Sequence, residues 1–474
     1  MSFLENEMNE LKTRLQSSEL LLAPSSLLLD DGPRSGMAVR VLDGRFADIG
    51  TVDELRARYR DLAALELPDT LMMPGFIDTH HHLTQSLGKA VAFGEPSEIF
   101  RRIWVPLEGS LDSDALYLSA KLAALEALRG GFTTVCDAGT RADNGLDAVA
   151  NATRDAGLRC VLGAICNDAG RETQGTEILK EAEAHLARWE HDALVHPSLA
   201  ISIPEAASDT MLGAVAARCS EAGRVFQVHA NEHLASVERS LVARGLRPIE
   251  HLDAAGALGP QTLIAHATMC TPYELRRMRD TDTAVAYNPV ASAWKGNAVA
   301  NAHLFAALGI RFGLGTDGTR SDAFRLMDAA ETAQRLVHGM AIGDSSCGGG
   351  WTWLFHATAG GASAAGLAKV TGKIALGQAA DFLLVDLDVP EMKPSWDLSW
   401  ELVRLAGRDQ LKAAFVNGHL RLWQGWPVDW DGKALLREVD RLAARVLAKA
   451  PIQRVHPTAD QHRVSIRARF AADH

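Results

Sequence analysis

Cysteine is sparse: Cys136, Cys160, Cys166, Cys219, Cys270 and Cys347 are the only six in 474 residues, and no two form a Cys-x-x-Cys pair. That scatter argues against a disulfide framework or a zinc knuckle and suits small buried thiols in a reducing compartment. Long apolar runs are missing too. No stretch approaches the about eighteen apolar residues of a membrane span, and residues 1–19 are charged throughout, unlike a signal peptide. Positive charge is in deficit, with 48 Lys and Arg against 59 Asp and Glu, net charge −11. No cationic stripe is available to displace counterions from a nucleic acid. No glycine-rich dinucleotide fingerprint follows the first candidate strand, which argues against an open nucleotide-binding sheet. The expectation is a cytoplasmic globular protein acting on a small molecule, with no nucleic acid and no membrane partner.

What is present is a long alternation. Residues 1–18 place Phe3, Leu4, Met8, Leu11 and Leu15 at helical spacing, suiting an amphipathic helix that lies on the body or on a partner subunit of a homo-oligomer. Residues 20–73 read as short strands, with a turn at Asp43-Gly44. From residue 74 to about 366, strands alternate with Ala- and Leu-rich helices. Strands are expected at 72–77, 133–135, 160–164, 199–203, 226–229, 263–266, 284–287 and 311–314; helices include 119–129, 209–222 and 271–278. Eight such units predict an α/β fold, a (β/α)8 barrel. Segments 377–386 and 411–422 return to short strands that can join the N-terminal ones, and 432–448 reads as a helix. The expected division is 1–73 and 371–474 for a small β-sandwich domain with a terminal helix, and 74–370 for the barrel.

Barrels carry their chemistry at the C-terminal ends of the strands. The first strand runs into His80-His81-His82, and alternation puts His80 and His82 on one face, about 7 Å apart. The fifth ends at His229, the sixth at His266, and the eighth at Asp317 within GLGTDG. Imidazoles with a carboxylate suit zinc or ferrous iron. His229 to His233 also matches the HxxEH pattern of a metalloprotease class, but that pattern works on a helix, and 224–228 (RVFQV) is short and β-like. Glu232 then lies just beyond a strand, able to lean over the metal, and His233 is structural. Gln85, three residues past His82, offers an amide that both donates and accepts. Phe93, Trp104, Trp294 and Trp351 are loop aromatics able to stack on a ring, and Arg320 could meet an anionic or carbonyl-bearing substrate.

Taken together, these residues resemble the amidohydrolase superfamily, and within it the aminohydrolases that deaminate ring compounds. The resemblance runs through GFIDTHHHLTQS, RIWVPLE, GGFTTVCD, VHANEH, LIAHATMCTPYEL, FGLGTDG and GQAADFLLVD, across nearly the whole chain. It looks like the branch holding guanine, 8-oxoguanine, isoxanthopterin and adenosine-type deaminases together with triazine hydrolases. The resemblance implies a metal on His80, His82, His229 and Asp317, with Glu232 and His266 catalytic and Gln85 toward substrate. Asp317, as a ligand able to accept the water's proton, is expected to be catalytic as well, and Trp104 and Arg320 are expected toward substrate from their loop positions. Binuclear members carry a bridging lysine at the fourth strand, where 199–204 has none, so one divalent ion is expected, zinc first and iron second. Two loops depart from the branch. Asn288-Pro289-Val290-Ala291-Ser292 stands for a Cys-Pro-x-Ser-Asn stretch, and Ser321-Asp322 for Ser-Asn. The implied activity is hydrolytic deamination of a purine, pterin or pyrimidine-like ring by metal-activated hydroxide. The alternatives are release of chloride, alkylamine or thioether from a triazine-like ring, or an inactive barrel serving assembly.

Overall fold

A computed structural model describes residues 3–95, 99–142, 145–343, 348–456 and 459–472. Cys347 lies outside the described residues; the other five cysteines are free thiols. Eight strands pair in parallel and in chain order. They are β1 (Phe76–His81), β2 (Phe132–Asp137), β3 (Arg159–Ile165), β4 (Val195–Ile201), β5 (Phe226–Ala230), β6 (Thr262–His266), β7 (Ala284–Tyr287) and β8 (Phe312–Leu314). The return from β8 to β1 is made by Asp317 N–H donating to the His80 carbonyl at 2.8 Å and by the Thr79 hydroxyl donating to the Leu314 carbonyl at 2.9 Å. The barrel is thereby tied shut where His80 and Asp317, two of the expected ligands, stand.

Helices form the outer layer because their apolar stripes need the sheet. The helix Ser113–Arg129 starts where Asp112 accepts from the Ala115 N–H at 2.9 Å, and its Ala and Leu face is buried. It stops at Gly130, where a Cβ would come within 2.1 Å of the Ser321 carbonyl oxygen. Only glycine admits this approach of the loop that carries Asp317. Among the described residues, no helix is long and apolar enough to cross a membrane.

The segment expected as one strand at 72–77 is divided. Ala64–Pro74 belongs to a second, mixed sheet, pairing parallel with Glu19–Leu29 and antiparallel with Phe382–Asp386. The crossing point is Gly75, whose N–H donates to the Asp381 carbonyl at 3.0 Å and where a Cβ would strike Thr133 at 2.1 Å. Apolar patterning could not find this break, since the strands on both sides of it are buried on both faces.

The second sheet has nine strands from both ends of the chain. It is one continuous hydrogen-bonded sheet that folds over its own core, so the sandwich is made by curling. Phe46 near one edge lies 6.1 Å from Phe382, which stacks at 4.2 Å on Phe415. Asp43 (φ 49°) and Gly44 (φ 75°) make the expected hairpin turn, and 411–422 is a second hairpin turning at Asn417-Gly418. The expected terminal helix, Gly432–Lys449, packs on the barrel helix Ser113–Arg129 through Leu435, Val439, Leu442 and Val446. A further helix, Ala459–Ala472, was not anticipated.

Candidate active site

Four donor side chains converge at the C-terminal mouth of the barrel. The ligand atoms of His80, His82, His229 and Asp317 lie within 4.8 Å of one another. Asp317 Oδ1 is 3.3 Å from both His80 Nε2 and His82 Nε2. His81, on the opposite face of the strand, turns away to Ser321 Oγ at 3.0 Å.

Tautomers show what this cluster can accept. His229 Nδ1 donates to the Ser202 carbonyl at 2.7 Å, leaving a lone pair on its Nε2. That lone pair faces His82 Nε2 at 3.3 Å. His80 Nε2 is buried with no hydrogen-bond partner. Lone pairs and a carboxylate turned inward, with a buried nitrogen left over, fit one divalent cation and leave polar atoms stranded otherwise. Beneath them Asp78, fully buried, accepts from His80 N–H at 3.2 Å and Thr316 N–H at 2.9 Å, which holds β1 against the β8 loop.

Three strand ends reach the site through left-handed backbone at non-glycine residues: Asn231 (φ 53°), His266 (φ 79°) and Asp317 (φ 55°). Asn231 is held there by its amide donating to Glu274 at 2.9 Å and by Thr268 donating to its carbonyl at 2.6 Å. The turn aims Glu232 back over this cluster, with Oε2 3.7 Å from His266 Nε2 and 3.1 Å from His233 Nε2. The Asn288 amide donates to His266 Nδ1 at 3.2 Å, so the imidazole hydrogen sits on Nε2, facing the site. Burial pushes His266 down to about 3, keeping it neutral. Burial alone would raise Glu232, but His266, Lys295 and His233 outweigh it and hold the carboxyl well below its ordinary range.

Lys295 went unread in the sequence. It follows the short helix Pro289–Trp294 after β7, and its Nζ reaches Glu232 Oε1 at 2.8 Å and Asp317 Oδ2 at 2.5 Å. Burial works against its charge, yet the two carboxylates keep the ammonium protonated above its ordinary value. Lys295 stands in the loop after β7, one residue beyond Trp294, where no periodicity marks which side chain faces the cleft.

The cleft above these groups has a volume of about 1090 Å³ counting its open mouth. Gln85, Trp104, Phe93 and Trp294 line it, with the last two rings edge to face at 5.4 Å. Gln85 donates its amide to Glu108 at 3.1 Å, which leaves its carbonyl oxygen for a ligand. Glu108 is the second residue missed. Fully buried, it also accepts from Thr84 at 3.2 Å and Arg141 at 2.9 Å, so it orients this wall of the cleft. Arg320, expected toward substrate, lies outside the residues lining the cleft and pairs with Asp322 at 3.1 Å. Trp351 lines a separate groove with Trp396.

With this geometry in place, similarity to known proteins is decisive about kinship. The profile of the amidohydrolase family matches residues 71–421. The chain belongs to the amidohydrolase family. It is 30% identical over 438 residues to the 5-methylthioadenosine/S-adenosylhomocysteine deaminase of Syntrophobacter fumaroxidans, covering 90% of this chain and 94% of that one. In fold it is similar to a zinc-bound adenosine deaminase from Xanthomonas campestris (TM-score 0.83, 23% identity, 91% of this chain and 99% of that one). It is also similar to the atrazine chlorohydrolase of Arthrobacter aurescens complexed with zinc (TM-score 0.79, 18% identity, 90% and 100%). The barrel with a mixed sheet from both chain ends is thus the amidohydrolase architecture.

Proposed function

We propose that this amidohydrolase is a hydrolytic deaminase of an amino-substituted purine, with an adenosine-type nucleoside as substrate and one zinc ion on His80, His82, His229 and Asp317. The observation that carries the reading is Glu232, aimed over the ligand cluster from outside it and flanked by the Nε2 hydrogen of His266. An aminated ring carbon is a poor electrophile until the adjacent ring nitrogen is protonated, and Glu232 is placed to do that. Kinship with a relative named for 5′-modified adenosines favours the purine among the candidate rings.

A bound divalent ion supplies Lewis acidity, lowering the pKa of water from 15.7 to about 7. The remaining steps fall to the chain's own residues. Glu232, held ionised, takes a proton from the attacking water and delivers it to the ring nitrogen beside the amino-bearing carbon. His266 donates from Nε2 to the attacking oxygen as charge develops there. Asp317 takes the second proton of that water and returns it to the amino group. The carbon–nitrogen bond breaks, ammonia leaves, and a ring carbonyl remains. Gln85, fixed by Glu108, presents its carbonyl oxygen to a donor group of the nucleoside.

The test is ammonia release from adenosine, 5′-deoxyadenosine, 5′-methylthioadenosine, guanine and an aminotriazine, with chloride release from a chlorotriazine measured alongside. Turnover of an adenosine is expected; chloride release with no ammonia from any purine would replace this reading.

A further inference from the structure

Glu232, His266 and Asp317 form a second group of metal-ligating side chains, with donor atoms within 4.8 Å of one another and Asp317 shared with the first group. The oxygens are divided between the two. Asp317 turns Oδ1 to His80 and His82 and Oδ2 to Lys295. Glu232 turns Oε1 to Lys295 and Oε2 to His233 and His266. His266 Nε2 and Asn288 Oδ1 are both buried without a hydrogen-bond partner; with the Asn288 amide turned so that Oδ1 accepts from Nδ1–H, the imidazole would present a lone pair at Nε2. A shared carboxylate, a terminal carboxylate and an imidazole make a donor set for a second divalent ion, lacking only an empty centre. The centre is taken by Lys295 Nζ, at 2.5 and 2.8 Å from the two carboxylates.

We infer that Lys295 is a resident cation standing in a latent second metal position, and that it keeps the centre mononuclear. The inference rests on the metal reading of the first group. Two neighbouring carboxylates, each largely withdrawn from water, need a cation between them. A second divalent ion would meet that need but would bind Glu232 as a ligand, fixing its carboxylate on the metal and away from the ring nitrogen it has to reach. An ammonium meets it by hydrogen bonding and leaves Glu232 free to exchange protons. Lys295 is a positioning residue in this account, acting through the two carboxylates.

The experiment counts metal in full-length protein reconstituted with excess manganese(II), by elemental analysis and by electron paramagnetic resonance. The unchanged protein should hold one ion with an uncoupled spectrum. Lys295→Ser removes both charge and bulk and should hold two, with the exchange-coupled spectrum of a carboxylate-bridged pair. Lys295→Arg should restore one. Should Lys295→Ser fold poorly, Lys295→Gln carries the same expectation of a second ion. A single uncoupled ion in the folded neutral variant, or two coupled ions in the unchanged protein, overturns the inference. The count is read without turnover. A protein holding one ion that deaminates nothing fails the proposed function alone; one that deaminates with a coupled pair bound fails this inference alone.

Discussion

Glu232 and Asp317 are both carboxylates touching Lys295, yet their surroundings assign them different work. Asp317 has an oxygen 3.3 Å from two imidazoles, so Asp317→Asn should weaken metal binding as well as abolish turnover, read by elemental analysis after dialysis. Glu232 reaches none of His80, His82 and His229, the proposed histidine ligands, through a hydrogen bond, so Glu232→Gln should keep the ion and lose on the order of 10²–10⁴ in kcat. Full activity in Glu232→Gln, or an emptied site, would reassign the proton carrier. At Gln85 the expected loss is smaller. Gln85→Ala should raise KM with metal content unchanged, by an amount near the about 0.5–1.5 kcal/mol of a neutral hydrogen bond. Legibility at this scale followed strand geometry. His80, His82, His229, His266 and Asp317 could be read because each ends an apolar run. Lys295 and Glu108 could not, because they arrive from helical turns inside loops, where no periodicity marks which side chain faces the cleft. Arg320 stands in such a loop too, outside the lining of the cleft and paired with Asp322.

Strand and helix existence was largely legible, while partnership between elements was not. Periodicity located all eight barrel strands, but it merged the end of Ala64–Pro74 with β1, and it could not say which body the terminal helix would join. A further partnership invisible in the sequence lies beyond that helix. Glu95, with a fully buried side chain, accepts from Arg102 at 2.8 Å, Arg454 at 3.1 Å and the backbone of Val455 at 3.0 Å and His456 at 3.3 Å. Gln453 N–H donates to the Arg102 carbonyl at 3.0 Å, and Ile452 packs against Ile99 and Ile103. The chain after Lys449 thus straps the element that carries Phe100 and Trp104 into the cleft. Glu95→Ala should free the strap, raising KM several-fold with metal content unchanged and speeding hydrogen exchange over residues 451–456. Unaltered exchange there would mean the strap holds without Glu95.

Across the whole molecule, barrel and mixed sheet are joined by a buried pair, Arg159 donating to Asp381 at 2.9 and 3.1 Å, with the Asn417 N–H donating to the same carboxylate at 2.6 Å. Beside it lies His196, whose Nε2 is 3.1 Å from Arg159 Nη1. Burial, and then the Arg159 guanidinium, push this imidazole down to about 3. His356, stacked on Phe312 at 3.4 Å, is pushed by burial down to about 4. An imidazole in the unfolded chain titrates near about 6.5. Between there and the folded values, the unfolded state binds protons that the folded state refuses, so stability rises with pH across this window. Read downward, the loss begins near pH 6.5 and is complete only below about pH 3–4, costing on the order of several kcal/mol for the two groups. Metal loss also destabilises in acid, so the measurement is a difference. His196→Gln keeps an acceptor for Arg159 and removes one titrating group. In urea unfolding of metal-loaded protein, its stability should fall less steeply than the parent's between pH 6.5 and 4, while the metal contribution, common to both, cancels. Parallel slopes for the two proteins would show that His196 takes up its proton in the folded state as readily as in the unfolded chain.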